Sequence, residues 1–241
     1  MGVEKSDFRE YICASIGSCH YTLLDELDER YPFYEIRVDL IDFGTSDVGE
    51  IIDKLKGFLR RKKNKCIVTC RNGKFSDDEC FEIIKAAVEC NVEFVDVDES
   101  FDNGYQLKLE RILEGFFVKY IRSFHDYQST GELTRLKEKV DSLFTGFNSE
   151  ADYVKIATFV HNEEDVLNLL KICAPRVIVV GMGEMGRLVR LLSPVFGSPF
   201  TYAAALTPTA PGQPSYDELL NAFKSLDEFM LGKLKDYFYK G

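Results

Sequence analysis

Lys155 lies between Val154 and Ile156 in the run DYVKIAT, residues 152–158. Desolvating an ammonium is costly, so lysine is seldom fully buried. An apolar site with cations nearby favours the neutral amine, which can attack a ketone and form a Schiff base. The plainer reading is a strand-end lysine whose head group reaches back to water. His125, in IRSFHDYQ, follows an apolar run at its C-terminal end and has Asp126 beside it. An imidazole there can give and take a proton near neutral pH, although many loop histidines do neither. His20 and His161 sit in loop-like contexts with no further signal.

Such groups act together only if the fold brings them to one place. Eight short, mostly apolar runs recur: residues 11–16, 33–41, 65–71, 92–98, 116–124, 152–158, 176–182 and 200–206. Most are rich in Val, Ile, Phe and Tyr, as buried parallel strands are. Helical stripes separate several of them. Val48, Ile51, Ile52, Leu55, Phe58 and Leu59 form one, and Leu133, Leu136, Val140, Leu143 and Phe144 another. Val166, Leu169, Leu170 and Cys173 mark a third, and the segment from Ser215 to Phe238 closes the series. Ser76-x-x-Glu79 reads as a capping box ahead of Phe81, Ile84 and Val88. Eight strand–helix units without a linker predict a single (β/α)8 TIM barrel over residues 1–241.

In a barrel the strand alternation acquires meaning. Glu35, Arg37 and Asp39 in FYEIRVDLI alternate with Ile36, Val38 and Leu40. The outer face must meet helices, so the charges point inward. Unpaired charges there would be costly, which suggests a polar cavity or else an internal ion-pair network. Arg71 ends the third run, and Thr209 to Gln213 follow the eighth. With Arg190 after the seventh run, six of the eight strands thus deliver a polar group to one end, where barrel enzymes bind substrate.

The seventh run leads into Gly181-x-Gly183-x-x-Gly186, the spacing of a dinucleotide fingerprint. That fingerprint opens a domain and carries an acid about 20 positions on. Residues 200–210 hold no acid, and only 60 residues follow Gly181. A nucleotide loop is excluded. The glycines permit a tight turn, after which Arg187 or Arg190 can face an anion.

A net charge of −10 argues against a nucleic-acid surface. The basic run Arg60 to Lys63 reads as a solvated helix end. Seven cysteines scattered through apolar patterns read as small buried hydrophobes of a reducing cytoplasm rather than as a disulfide framework or a zinc site. No run of 18 apolar residues is present, so no membrane span is expected. Gly2 and Ser6 match an N-terminal acylation pattern, but acidic neighbours and the lack of a polybasic partner make the match accidental.

Together these residues resemble those of type I 3-dehydroquinate dehydratases, across essentially the whole chain. The matching stretches are EIRVD (35–39), TCR (69–71), SFHD (123–126), ADYVKIAT (151–158), RLVRLLSPVFGS (187–198) and TAPGQPS (209–215). The resemblance implies a homodimeric or monomeric barrel with no metal and no cofactor. Its reaction would be loss of water from 3-dehydroquinate, giving 3-dehydroshikimate in the shikimate pathway. Lys155 would then form the Schiff base and His125 would shuttle the proton. Glu35, Ile36, Arg37, Arg71 and Arg190 would contact substrate, and Ser15, Thr209 and Gln213 would hydrogen-bond it. Met182 and Tyr202 would be pocket walls. The planar fork of Arg190 would suit the substrate carboxylate.

One position departs from the family pattern. Many members carry a glutamate four residues after the strand-three arginine, where it orients the histidine; here that residue is Phe75. Asp77 or Asp78 is expected to substitute, unless His125 is held in another way. The segment 135–150 is not explained by the motifs either. Two alternatives share the barrel: a Schiff-base aldolase gripping phosphate through the glycine loop, and a carboxylate-binding barrel without turnover.

Overall fold

The computed structural model describes residues 7–145 and 152–238. The acylation pattern at Gly2 and Ser6 lies outside them. Each apolar run forms a strand: β1 Ile12–Ile16, β2 Phe33–Arg37, β3 Lys65–Thr69, β4 Phe94–Asp98, β5 Lys119–Asp126, β6 Tyr153–Phe159, β7 Val177–Met182 and β8 Thr201–Ala204. All are parallel, and neighbours in sequence are neighbours in space from β1 to β7, with β8 beside β1. Among the described residues no strand ladder joins β7 to β8. The chain is a nearly closed (β/α)8 barrel with one seam.

Two strand ends differ from the sequence reading. β5 runs on through His125, which is therefore held by a ladder rather than by a loop; its register partner is Ala157. β2 stops at Arg37, because Leu40 N and Ile41 N both turn back to the Arg37 carbonyl. Asp39 lies in that turn and not on the strand face, yet still ion-pairs with Arg37 at 2.7 Å.

Helices cover the sheet: α1 Leu24–Arg30, α2 Val48–Leu59, α3 Asp77–Glu89, α4 Asn103–Leu113, α5 Leu133–Phe144, α6 Glu163–Leu170, α7 Gly186–Leu192 and α8 Tyr216–Phe229. The apolar stripes mark five of them; α1 and α7, with seven residues each, and the polar α4 carry too weak a pattern. Ser76 and Glu79 form the expected reciprocal cap on α3, and Ser215 and Glu218 form another on α8. Between sheet and helices, Tyr34, Ile36 and Val38 pack in one buried cluster with Ile51 and Leu55 of α2.

The glycines after β7 serve close packing. A methyl group on Gly181 would lie 2.7–2.8 Å from Gly186 and Val189, so only glycine lets the start of α7 rest on the strand. This approach carries Arg190, three residues short of the helix C-cap, back into the barrel wall.

Candidate active site

Inside the barrel, positions two apart on each strand form layers. At the strand N-terminal side Phe33, Ile67, Phe94, Ile121 and Phe200 form an apolar plug, with Phe33 and Phe200 edge to face at 4.8 Å. Two residues further along the same face come Glu35, Thr69, Asp96, Ser123 and Lys155. Beyond them are Arg37, Arg71, Asp98 and His125. The chemistry predicted from scattered residues is thus collected on one set of strand ends.

Lys155 is 4% exposed, and its ammonium is paired with the fully buried carboxylate of Asp96. Its Nζ also sits 4.8 Å from the centre of the Tyr202 ring. Arg71 ties the next layer together. Nη2 pairs with Asp96 and Nη1 with Asp98, each at 3.0 Å, and Nη1 also donates to Ser123 at 3.0 Å. His125 Nδ1 lies 2.7 Å from Asp98, while Nε2 is 3.4 Å from Arg71 Nη2.

These charges tune one another. Burial alone would make Asp96 harder to ionise, but Lys155, Arg71 and His125 outweigh it and hold the carboxyl well below the usual range. Asp98 is held low in the same sense, its burial outweighed by His125 and Arg71. His125 is pushed down to about 4 by burial and then by the cations Arg71 and Lys155, with Asp98 opposing. At neutral pH it is an uncharged imidazole, able to accept a proton.

On the other side, Ser15 Oγ donates to Glu35 at 2.5 Å, and Thr69 donates to the second Glu35 oxygen at 2.8 Å. Ser15 lies 3.0 Å from the Thr209 hydroxyl, which in turn donates to Gln213 Oε1 at 3.0 Å. The loop after β8 is seated by a hydrogen bond from Gly183 N to Pro211 O, at 3.0 Å.

Arg190, 1% exposed, spans the seam. Its Nε donates to Gly181 O of β7 at 2.8 Å and its Nη1 to Tyr202 O of β8 at 3.0 Å. A side chain thereby joins two strands that share no ladder. Among the described residues its Nη2 has no partner, and neither does the buried Tyr202 hydroxyl. Burial lowers the guanidinium pKa to about 10, so it stays cationic at neutral pH. Residues from both sides open on one cavity of about 440 Å³, open solvent at its mouth included.

Ser15, Glu35, Arg37, Arg71, His125, Lys155, Arg190, Thr209 and Gln213 all line that cavity, with Met182 and Tyr202 in its wall. Ile36 does not: strand alternation sends its side chain into the layer under α2. Asp77 and Asp78, expected near His125, are spent elsewhere. Asp77 accepts from Asn72 and from Asp102 N, and Asp78 accepts from Tyr105 OH. Phe75 is buried in the apolar core. Sequence reading missed Asp96 and Asp98, although VEFVDVD alternates as plainly as FYEIRVD.

Fold and site define a class: a (β/α)8 barrel with an internal amine and an imidazole facing one cavity at its strand C-terminal ends. Within it the chain belongs to the type I 3-dehydroquinase family, whose model matches residues 12–230. It is 33% identical over 227 residues to 3-dehydroquinate dehydratase of Methanococcus maripaludis strain C7, covering 89% of this chain and 95% of that one. The Methanocaldococcus jannaschii 3-dehydroquinate dehydratase is 32% identical over 199 residues, or 78% and 88% of the two chains. Among solved structures, the type I 3-dehydroquinate dehydratase of Clostridium difficile, with covalently modified comenic acid, superposes with a TM-score of 0.75. It is 26% identical, covering 92% of this chain and 93% of that one.

Proposed function

We propose that this chain removes water from 3-dehydroquinate through an imine on Lys155, with His125 moving the proton. The reaction itself, a hydro-lyase step of the shikimate pathway to aromatic amino acids, follows from membership of the type I 3-dehydroquinase family. The observation that carries the imine is a lysine buried inside the barrel and lining the same cavity as a neutral histidine.

Lys155 gives its ammonium proton to the Asp96 carboxylate it is paired with, and the freed amine adds to the ketone carbon. Asp96 returns the proton to the departing hydroxyl, so that water leaves and an iminium remains. That positive nitrogen withdraws electrons from the adjacent C–H bond. His125 Nε2 takes the proton, and the resulting enamine expels the β-hydroxyl, which leaves as water with the proton returned by His125. Hydrolysis of the imine frees the enone product and restores Lys155. The substrate carboxylate is met by Arg190, whose Nη2 is the unpartnered donor; a charge-assisted hydrogen bond in a buried wall is strong and directional. Ser15, Thr209 and Gln213 take the ring hydroxyls, Glu35 fixes Ser15, and Arg37 and Arg71 line the same cavity.

We place the reaction in the cytoplasm, where the seven cysteines, all free thiols, stay reduced. No helix among the described residues is long and apolar enough to cross a membrane. The direct test is to mix the protein with 3-dehydroquinate and follow enone absorbance, with phosphorylated sugars as competing substrates. Enone formation and no sugar cleavage is the expected result; sugar cleavage alone would replace the dehydratase reading with an aldolase.

A further inference from the structure

We infer that Asp98 is the positioning acid of His125, fixing the proton on Nδ1 so that Nε2 serves as the base. The inference rests on His125 being the proton carrier proposed above. Two contacts on opposite sides of the ring assign the same tautomer. Asp98 Oδ2 lies 2.7 Å from Nδ1, and an ionised carboxylate can only accept, so Nδ1 bears the hydrogen. Arg71 Nη2 lies 3.4 Å from Nε2, and a guanidinium can only donate, so Nε2 bears the lone pair.

Asp98 is itself anchored. Its Oδ2 accepts from Arg71 Nη1 at 3.0 Å, and its Oδ1 accepts from the Ser100 hydroxyl at 2.6 Å and Ser100 N at 3.1 Å. The carboxylate is therefore fixed in place before substrate arrives, and so is the imidazole it holds. The neighbouring acids are occupied. Asp96 accepts from Ser123, Arg71 and Lys155, and Asp126, although adjacent to His125 in sequence, accepts from Gln128 N and Ser129 N. The charged groups facing the ring are Arg71 from the end of β3, Asp96 and Asp98 from β4 and Lys155 from β6. Tyr127 stacks on it at 6.2 Å. Of these, Asp98 alone accepts from the ring. When Nε2 takes the substrate proton, the carboxylate also supplies the counter-charge for the imidazolium, as in nucleophile–histidine–acid triads.

The test compares the wild type with Asp98→Asn and Asp98→Glu. An amide offers Nδ1 both a donor and an acceptor, so the tautomer is no longer fixed and the counter-charge is lost. Asp98→Asn is expected to lower kcat by about 10²- to 10³-fold with little change in KM, and Asp98→Glu to recover part of that loss. Nitrogen-15 spectra of His125 should show Nδ1–H and a bare Nε2 in the wild type, and a mixture in Asp98→Asn. Borohydride trapping on Lys155 with 3-dehydroquinate separates the failures. A wild type that traps nothing refutes the imine reading. A wild type that traps normally, while Asp98→Asn keeps wild-type kcat and ring-nitrogen shifts, refutes the positioning role. Equal losses in both variants, with lowered melting temperature and unchanged ring-nitrogen shifts, also refute it, since they describe a structural carboxylate only.

Discussion

The two ends of the barrel interior are built from the same strands, two residues apart, and they do opposite things. On β2, Phe33 gives way to Glu35 and then Arg37; on β4, Phe94 gives way to Asp96 and then Asp98. On β5, Ile121 is followed by Ser123 and His125. The lower end is closed by rings in edge-to-face contact, Phe33 with Phe200 at 4.8 Å and Phe94 with Tyr153 at 5.6 Å. Such burial stabilises by dispersion and the hydrophobic effect and holds no reactive group. The upper end joins Lys155, Asp96, Arg71 and Asp98 in one ion-paired chain that ends on the His125 imidazole, hydrogen-bonded to Asp98. Desolvating those charges is costly, and the apolar end beneath them supplies the stability that permits it. The layer at which the change occurs is the layer of Lys155. A nucleophilic amine thus sits with a dry floor below it and the proton-handling groups above.

That contrast is sharpest under substitution. Lys155→Ala should lower kcat by about four orders of magnitude or more while leaving the fold and substrate binding in place; calorimetric titration alongside enone assays checks both halves. Phe33→Ala should do the converse, costing about 3–5 kcal/mol of stability but leaving kcat/KM near wild type below the melting transition. A Phe33→Ala protein that stays folded yet loses turnover would mean the floor takes part in the chemistry. Arg190→Lys belongs to both sides, because it removes the fork that bridges Gly181 O and Tyr202 O as well as the donor facing the cavity. It should raise KM by about tenfold to a hundredfold, from the loss of a charged hydrogen bond of about 1.5–3 kcal/mol, and also lower the melting temperature.

The smallest effect concerns pH. His125 in the folded enzyme should titrate near about 4, seen by proton NMR of its ring, whereas unfolded histidine titrates near 6.5. Its folded value is depressed, so the unfolded chain takes up a proton that the folded chain refuses. The stability due to neutral His125 is present above about 6.5 and is lost as pH falls toward 4. Asp96 and Asp98, also held low, act in the same direction at lower pH. Denaturant midpoints measured across that range should fall steadily on acidification, and a ring titrating near 6.5 would contradict the burial and cation effects assigned to it.

Much of the barrel was legible because parallel strands buried on both faces leave β-branched and aromatic runs in the sequence. Lys155, Glu35 and Arg37 were legible too, since a charge inside such a run must face somewhere costly. Asp96 and Asp98 alternate just as Glu35 and Arg37 do, but their partners Arg71, His125 and Lys155 come from three other strand ends. Pairing across strands has no trace in linear spacing, so the acid beside His125 was sought at Asp77 and Asp78, within a few residues of Arg71. Arg190 was legible as a residue with a possible anion partner, but not as the stitch across the β7–β8 seam. That role depends on how closely two glycines let α7 approach β7.

The central claim is that Lys155 becomes covalently attached to substrate. Intact-mass spectrometry after adding 3-dehydroquinate and borohydride, followed by peptide mapping, tests it directly. The expected result is a ligand-sized adduct confined to the Lys155 peptide and absent in Lys155→Ala. A protein that forms the enone with no adduct, or with the adduct on another lysine, would contradict it.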